Sequence, residues 1–226
     1  MDRVEFRKRI LAANDAEAET LKTRFAAAET LVVDVVSSPG SGKTSLLEET
    51  ARRMSTDVSM ATVVGDIATE MDAERLRAVG MPAHQIVTGG ACHLDARMVR
   101  DALEIAPFEL PELLFIENVG NLVCPASYSL GEDFKVTLLS VAEGHDKPFK
   151  YPAIFSRAAV TLITKVDLLD YLDFDVNRAR QQILALNPDA VVLLVSVKTG
   201  EGMDGWCALL RERLAEKSPQ LAEDVR

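Results

Sequence analysis

A cysteine and a histidine stand side by side in the stretch TGGACHLDARM, residues 88–98. The chain has only three cysteines and three histidines, so the pairing of Cys92 with His93 is conspicuous. Thiolate and imidazole are ligands that Ni²⁺ and Zn²⁺ favour. Adjacent side chains point apart on a strand and about 100° apart on a helix, so this pair alone does not close a tetrahedral site. A metal site and a structural pair are both open on this evidence.

A phosphate-binding loop is predicted in VVDVVSSPGSGKTSLLEET, residues 32–50. A buried strand there runs into a glycine-rich turn and then a helix, so backbone N–H groups wrap the phosphates. Lys43 then meets the β and γ oxygens, and the Thr44 hydroxyl binds Mg²⁺. The usual pattern begins with glycine, whereas this chain has Ser37 at that position. The predicted phosphate-binding residues are Gly40, Ser41, Gly42, Lys43, Thr44 and Ser45.

Two short motifs at later strand ends indicate that the base is guanine. TKVD, residues 164–167, is close to the Asn-Lys-x-Asp motif of GTPases, and SVK, residues 196–198, resembles their Ser-Ala-Lys motif. Asp167 accepts two hydrogen bonds from guanine N1 and N2, which adenine does not offer. Threonine stands where the motif usually has asparagine. The predicted base-side residues are Thr164, Lys165, Asp167, Ser196, Val197 and Lys198.

Carboxylates at two more strand ends are the candidates for magnesium binding and hydrolysis. Glu117 ends the run LLFIE and Gly120 follows, where GTPases usually have Asp-x-x-Gly to bind Mg²⁺ and sense the γ-phosphate. Asp66 ends VVGD and is the candidate to orient the attacking water, because no glutamine stands in the usual place. Asp72 is open between a switch role and a helix-dipole role. We predict that Asp66, Lys43 and Glu117 are catalytic and that Thr44, Asp66 and Glu117 bind magnesium.

The elements that must position these residues form an alternating pattern. Seven apolar, β-branched runs are predicted strands: 30–36, 59–66, 83–88, 113–118, 135–142, 159–165 and 190–196. Helical patterns lie between them, including 93–106, 175–187 and 203–217, while 144–152 reads as a loop. We expect a doubly wound α/β fold with a mostly parallel sheet and helices on both faces. An amphipathic N-terminal helix over residues 3 to about 28 is expected to pack on it through Val4, Ile10, Leu11, Leu21 and Phe25.

Composition restricts the partners. With 226 residues, 48% of them hydrophobic, residues 1–226 are predicted to be one domain. A net charge of −10 argues against nucleic acid or an anionic membrane as a partner. No apolar run reaches the roughly 18 residues of a membrane span, so we expect a cytoplasmic protein. Cys92, Cys124 and Cys207 are too few and too scattered to indicate a disulfide framework.

Long stretches resemble the HypB family, GTPases that assist nickel insertion into hydrogenases. These stretches are SSPGSGKT, GDIATEMDAERLRAVG, TGGACHLDARMV, ENVGNLVCPASYSLGEDFKVTLLSVAEGHDKPFKYP and TKVDLL, and the resemblance runs from about residue 4 to 215. It implies a P-loop GTPase of the SIMIBI class that forms a homodimer when GTP is bound. It also implies a nickel-insertion partner chaperone and delivery of nickel to a hydrogenase large-subunit precursor.

The resemblance further implies a metal site for Ni²⁺, which Zn²⁺ can also occupy, at Cys92, His93 and Cys124. Cys124 belongs to NLVCP, residues 121–125, and follows Gly120 by four residues. Two-fold symmetry would bring two copies of each ligand to one interface, so dimerisation could complete the site.

Two other functions stay open. A urease-type nickel GTPase shares the class and the metal, but its metal motif is expected to be Cys-Pro-His, and here no histidine follows Cys124 and Pro125. A P-loop small-molecule kinase would need a lid and an acceptor pocket, and the guanine motifs argue against it.

Overall fold

One parallel sheet organises the chain. The computed structural model describes residues 3–66 and 70–218. Its seven strands are all parallel and lie in the order β3-β2-β4-β1-β5-β6-β7. The strands are β1 (Leu31–Ser37), β2 (Met60–Asp66), β3 (Ala83–Val87), β4 (Leu113–Glu117), β5 (Phe134–Ser140), β6 (Val160–Thr164) and β7 (Val191–Val195).

Helices cover both faces of the sheet. They are α1 (Arg3–Ala27), α2 (Lys43–Met54), α3 (Met71–Ala78), α4 (Ala96–Ile105), α5 (Lys147–Lys150), α6 (Pro152–Phe155), α7 (Val176–Leu186) and α8 (Met203–Lys217). Short 3-10 turns lie at Cys124–Ser127, Val141–Glu143 and Val166–Tyr171. The chain builds β2 to β4 on one side of β1 and β5 to β7 on the other, so the crevice at the carboxyl end of β1 is the topological switch point, where ligands bind in such folds.

The central strand shows why the sequence forms this fold. Val33 and Val35 pack under α2, α3 and α8, whereas Val32 packs with α1 and α4, and Val36 packs with α6 and α7. All four side chains are fully buried. A strand that is apolar on both faces requires helices on both sides, and each buried valine contributes about 1.5–3 kcal/mol of transfer free energy.

Asp34 interrupts this apolar strand. It is fully buried and pairs with Lys135 of β5, which also contacts Glu132 at 2.7 Å. Burial raises the pKa of Asp34, against the attraction of Lys135. A buried carboxylate is tolerated only when its oxygens are bonded, and the Asn118 amide bonds the second one at 3.1 Å.

The predicted fold class is confirmed. Each of the seven strands begins and ends within two residues of its predicted bounds. The loop prediction for 144–152 was wrong in part. Residues 147–150 and 152–155 form α5 and α6, because Pro148 and Pro152 occupy first-turn positions where proline is tolerated. Within residues 3–66 and 70–218, no helix is long and apolar enough to cross a membrane.

The apolar face predicted for α1 was only half right. Leu21 and Phe25 are buried, but Val4 is 59% exposed and Ile10 is 42% exposed. Asn14 is buried, and its amide bonds Ser129 O and Ala96 N. The hydrophobic pattern of a helix does not show how much of its length a neighbouring helix covers, so the exposure of Val4 and Ile10 could not be predicted from it.

Candidate nucleotide and metal site

The turn between β1 and α2 has the geometry of a phosphate-binding loop. Gly40 and Gly42 have φ values of +76° and +101°, which side chains rarely adopt. Helix α2 begins at Lys43, so its first N–H groups face the turn. Lys43 Nζ lies 3.4 Å from Ser37 Oγ, and Ser37 is fully buried. The serine in place of the usual glycine therefore sits inside the turn and contacts the lysine.

A cavity of about 380 Å³ lies beside this turn at the ends of β6 and β7. Asp167 faces it, and Ser196 Oγ donates a 2.6 Å hydrogen bond to Asp167 Oδ1. Lys198 Nζ lies 4.0 Å from Asp167 Oδ2. The predicted nucleotide residues that line the cavity are Ser41, Gly42, Ser45, Thr164, Lys165, Asp167, Val197 and Lys198. The structure thus brings the two base-side motifs to one cavity next to the phosphate loop.

Two residues of the TKVD motif also bond the phosphate loop directly. Thr164 Oγ1 donates to Ser41 O at 2.9 Å, and Lys165 Nζ donates to Gly40 O at 2.7 Å. Lys165 has a φ of +60°, an uncommon conformation for a non-glycine residue that aims its side chain across the loop. Threonine in place of asparagine therefore still supplies a contact between the base side and the phosphate side.

Glu117 and Thr44 meet where magnesium is expected. Thr44 Oγ1 donates to Glu117 Oε1 at 2.8 Å, while Glu117 Oε2 is buried without a hydrogen-bond partner among the described residues. Burial raises the pKa of Glu117 to about 7, although Lys43 and the Thr44 bond oppose the rise. A divalent cation would satisfy the second oxygen and favour the ionised carboxylate, so the pair fits Mg²⁺.

A second cavity of about 290 Å³ lies next to this pair, and Asp72 and Arg75 line it together with Lys43, Thr44 and Glu117. Asp66, which ends β2, is not among the described residues that line it. Residues 67–69, which follow Asp66 in the predicted switch, lie outside the described residues. Asp72 therefore lines the phosphate end, while Asp66 stays a prediction at the carboxyl end of β2. Arg75 Nη2 also donates to Ser45 Oγ at 3.0 Å, and no motif had indicated this arginine.

The soft ligands form a compact group. Cys92 Sγ lies 3.1 Å from Cys124 Sγ and 3.7 Å from His93 Nδ1. One ligand atom from each of the three residues lies within 4.8 Å of the others. Burial lowers the pKa of His93, which favours the neutral imidazole that binds metals, although Asp95 opposes this. The Tyr128 ring packs against His93, with centroids 4.1 Å apart and ring planes tilted by 39°.

One local expectation about this group was wrong. The helical pattern was predicted to begin at residue 93, but α4 begins at Ala96 with Asp95 as its N-cap. The pair instead lies in an irregular loop after Gly89 and Gly90, both with positive φ. Because the loop follows neither strand nor helix geometry, both side chains turn toward Cys124. One chain therefore supplies three donor atoms without a second copy.

The other histidines and the third cysteine lie away from this group. His84 is in β3, an edge strand, and His145 is in a turn. Cys207 is buried in α8 beside Trp206. The sequence reading missed Tyr128 and Asn121, although the position of Asn121 directly after Gly120 is a signal that could have drawn attention to it.

Comparisons with known proteins identify the family. Residues 31–194 match the family model of the CobW/HypB/UreG nucleotide-binding domain. The Hydrogenase maturation factor HypB of Escherichia coli K12 is 52% identical over 197 residues, which cover 87% of this chain and 68% of the relative. The Hydrogenase/urease maturation factor HypB of Helicobacter pylori 26695 is 40% identical over 217 residues, which cover 94% of this chain and 89% of the relative.

A solved structure is similar over nearly the same length. The crystal structure of HypB from Helicobacter pylori in complex with nickel is 40% identical, with a TM-score of 0.86, and the match covers 90% of this chain and 96% of the other. The chain therefore belongs to the HypB family of hydrogenase maturation factors, within the CobW/HypB/UreG group of nucleotide-binding proteins.

Proposed function

We propose that this protein hydrolyses GTP and uses the nucleotide cycle to control delivery of nickel to a [NiFe]-hydrogenase precursor. The observation that carries the proposal is the group of Cys92, His93 and Cys124, whose ligand atoms lie within 4.8 Å of one another in a chain that also has the GTPase cavity. A relative of known structure holds nickel. In this chain nickel is the cargo, and Zn²⁺ is a competitor for the same ligands.

The nucleotide half of the proposal rests on Asp167, Lys43 and the Thr44–Glu117 pair. Asp167 selects guanine, and Lys43 binds the β and γ phosphates. Mg²⁺ held by Thr44 and Glu117 would neutralise charge on these phosphates. Hydrolysis should be slow, at roughly 10⁻⁴ to 10⁻² s⁻¹, because no catalytic glutamine is evident. We propose that Asp66 orients the attacking water and binds magnesium. Asp72, which lines the cavity beside Thr44 and Glu117, is the alternative residue for this role.

The metal half needs a second subunit. Three donors from one chain leave a four-coordinate metal one ligand short. A homodimer formed with GTP bound would bring a second set of ligands to the same interface, and hydrolysis would separate the sets. A partner chaperone and the hydrogenase large-subunit precursor would then take up the nickel. We expect the protein to act in the cytoplasm.

Urease maturation is a second candidate, because the Helicobacter pylori relative is named for both hydrogenase and urease. The kinase alternative has no such support. It predicts that label from the γ-phosphate reaches a metabolite, whereas a GTPase transfers it to water.

The decisive test uses cells that lack this gene and carry the wild type, Lys43→Ala or Cys92→Ala. Hydrogenase activity should return only with the wild type, and both variant proteins should still be present at wild-type abundance. Restored hydrogenase activity in Cys92→Ala would contradict the metal role, and restored urease activity alone would favour the second candidate. In purified protein, Asp66→Ala and Asp72→Ala should be compared for GTP binding and for phosphate release. The residue that orients the water is the one whose loss slows release more than it weakens binding.

A further inference from the structure

The loop between β3 and α4, residues 88–95, carries Cys92 and His93, and we call it the metal loop. The segment that leaves β4 contacts it at two points. Its sequence is Glu-Asn-Val-Gly-Asn, residues 117–121, and its two asparagines flank Gly120. Asn121 Nδ2 donates to Cys92 O at 3.0 Å, and Leu94 N donates to Asn118 Oδ1 at 3.1 Å. We call Asn118 and Asn121 the asparagine clamp. The clamp bonds the main chain on both sides of His93.

The inner member of the clamp is fixed to the sheet. Asn118 is 1% exposed, and its Nδ2 donates to Asp34 Oδ1 at 3.1 Å. Asp34 in turn pairs with Lys135, whose Nζ donates to Tyr128 O at 3.0 Å. Tyr128 carries the ring that packs against His93. The inner half of the metal loop is therefore held by a buried polar network that spans β1 and β5.

The outer member touches both segments that carry cysteine ligands. While Asn121 Nδ2 bonds Cys92 O, Asn121 Oδ1 accepts from Val123 N at 2.9 Å, one residue before Cys124. Asn121 also follows Gly120 directly. Gly120 packs so closely on the phosphate loop that a Cβ there would lie 3.0 Å from Pro39 Cα. A shift of the phosphate loop would therefore press on Gly120 and, through the next peptide bond, on Asn121.

We propose that Asn121 is the positioning residue that transmits the nucleotide state to the metal site, with Asn118 as its fixed anchor. When Gly120 shifts, Asn121 displaces Cys92 O while Asn118 holds Leu94 in place. The Cys92–His93 geometry then changes relative to Cys124 although no nucleotide atom touches the metal. This inference rests on the proposed nucleotide control of nickel and assigns it to one side chain.

The test compares nickel affinity with GDP and with a non-hydrolysable GTP analogue. The variants are Asn121→Ala, which loses both bonds, and Asn121→Asp, which keeps the acceptor for Val123 N but loses the donor to Cys92 O. Asn187→Ala is the matched control, because Asn187 makes the same two bonds elsewhere. Its Nδ2 donates to Ala158 O at 2.9 Å, and its Oδ1 accepts from Asp189 N at 3.2 Å.

We expect the wild type and Asn187→Ala to show the same ratio of affinities, within the roughly 5- to 150-fold range typical of coupled sites. In both Asn121 variants the ratio should fall toward one, and the thiolate-to-nickel absorption band should no longer differ between the two nucleotide states. An unchanged ratio in Asn121→Ala and Asn121→Asp, beside a coupled wild type, overturns the role of Asn121 alone. A wild-type ratio of one overturns nucleotide control itself, and the clamp with it.

Discussion

The guanine end and the metal end of this site lie at the same edge of the sheet but are supported differently. At the guanine end, Thr164 is the last residue of β6 and Ser196 directly follows β7. Their hydroxyls bond Ser41 O and Asp167 within 3.0 Å. At the metal end, Cys92 follows the end of β3 at Val87 by five residues, and it lies in a loop.

The difference indicates what each end can do. Side chains fixed at strand ends hold one geometry, which suits selection of a single base. Ligands on irregular loops change their mutual distances at low cost, which suits a metal that must be bound and released. The asparagine clamp is the contact through which the rigid region would act on the adaptable one.

Loss of guanine recognition should be the largest effect, because it removes a preformed contact. In Asp167→Asn, two charge-assisted hydrogen bonds of about 1.5–3 kcal/mol each are lost, so GTP affinity should fall about 10²- to 10⁴-fold. Affinity for xanthosine triphosphate should rise, since xanthine presents the inverted hydrogen-bond pattern to the asparagine amide. Binding of both nucleotides is measured by competition with a fluorescent analogue. Asp170→Asn, an exposed neighbour, is the control. Equal affinity of the wild type for ATP and GTP would contradict the assignment.

Removal of a metal ligand should be nearly as severe but confined to the other end. Loss of an outer-shell partner costs about 10- to 100-fold in metal affinity, so Cys92→Ala should lose more than about 100-fold. GTP affinity without metal should stay close to that of the wild type. The control is Cys207→Ala, which removes a buried thiol from α8 and should leave nickel binding intact. Nickel is titrated by competition with a chromophoric chelator. Wild-type nickel affinity in Cys92→Ala would contradict the assignment of Cys92 as a metal ligand.

A smaller effect is expected where the sheet supports the metal loop. A Cβ at Gly65 would lie 2.8–2.9 Å from three side-chain atoms of Leu94, which is fully buried next to His93. Gly65→Ala should therefore cost about 1–3 kcal/mol in stability, as overpacked cores do, and it should weaken nickel binding. Gly205→Ala is the matched control, because no atom lies within 4 Å of its added Cβ and the helix should become about 0.5–1 kcal/mol more stable. Urea unfolding measures the change in stability of both variants. If Gly65→Ala is as stable as the wild type and binds nickel equally well, packing of Leu94 on β2 does not support the metal loop.

The smallest effect tests how rigid the guanine end is. Thr164→Val removes the hydroxyl that donates to Ser41 O, a bond worth about 0.5–1.5 kcal/mol, so GTP affinity should fall about 2- to 12-fold. Thr164→Asn restores the usual residue and should bind GTP at least as well as Thr164→Val. Calorimetric titration with GDP and with the GTP analogue separates these small changes. If Thr164→Val binds like the wild type, this bond does not support the base side.

The sequence predicted the strands well, and it assigned the candidate nucleotide residues to positions after strands, because both follow from local rules. A β-branched run ends where a polar motif begins, so the sequence alone placed Glu117 at the end of a strand and Lys43 and Asp167 a few residues after strands. Parallel strands then bring those ends to one edge. Hydrophobic periodicity and glycine-rich turns are sufficient for that part of the site.

Other features depend on contacts between distant segments, which no local pattern specifies. The approach of Cys92 to Cys124 results from two loops that are 32 residues apart in sequence. Placement of Asp72 and Arg75 at the phosphate end depends on how α3 docks beside α2. The buried Asp34–Lys135 pair breaks the rule that central strands are apolar, so the pattern alone counted Asp34 as an ordinary strand position.

The most direct test of the account is a closed titration cycle on the wild-type protein. Nickel affinity is measured with GDP and with the non-hydrolysable GTP analogue, and affinity for the analogue is measured with and without nickel. Coupled sites must change each other's affinity by the same factor. We predict that this factor differs from one and is equal in both directions, with a change in nickel stoichiometry per chain between the two nucleotide states. Identical nickel affinity and stoichiometry with GDP and with the analogue would contradict the account.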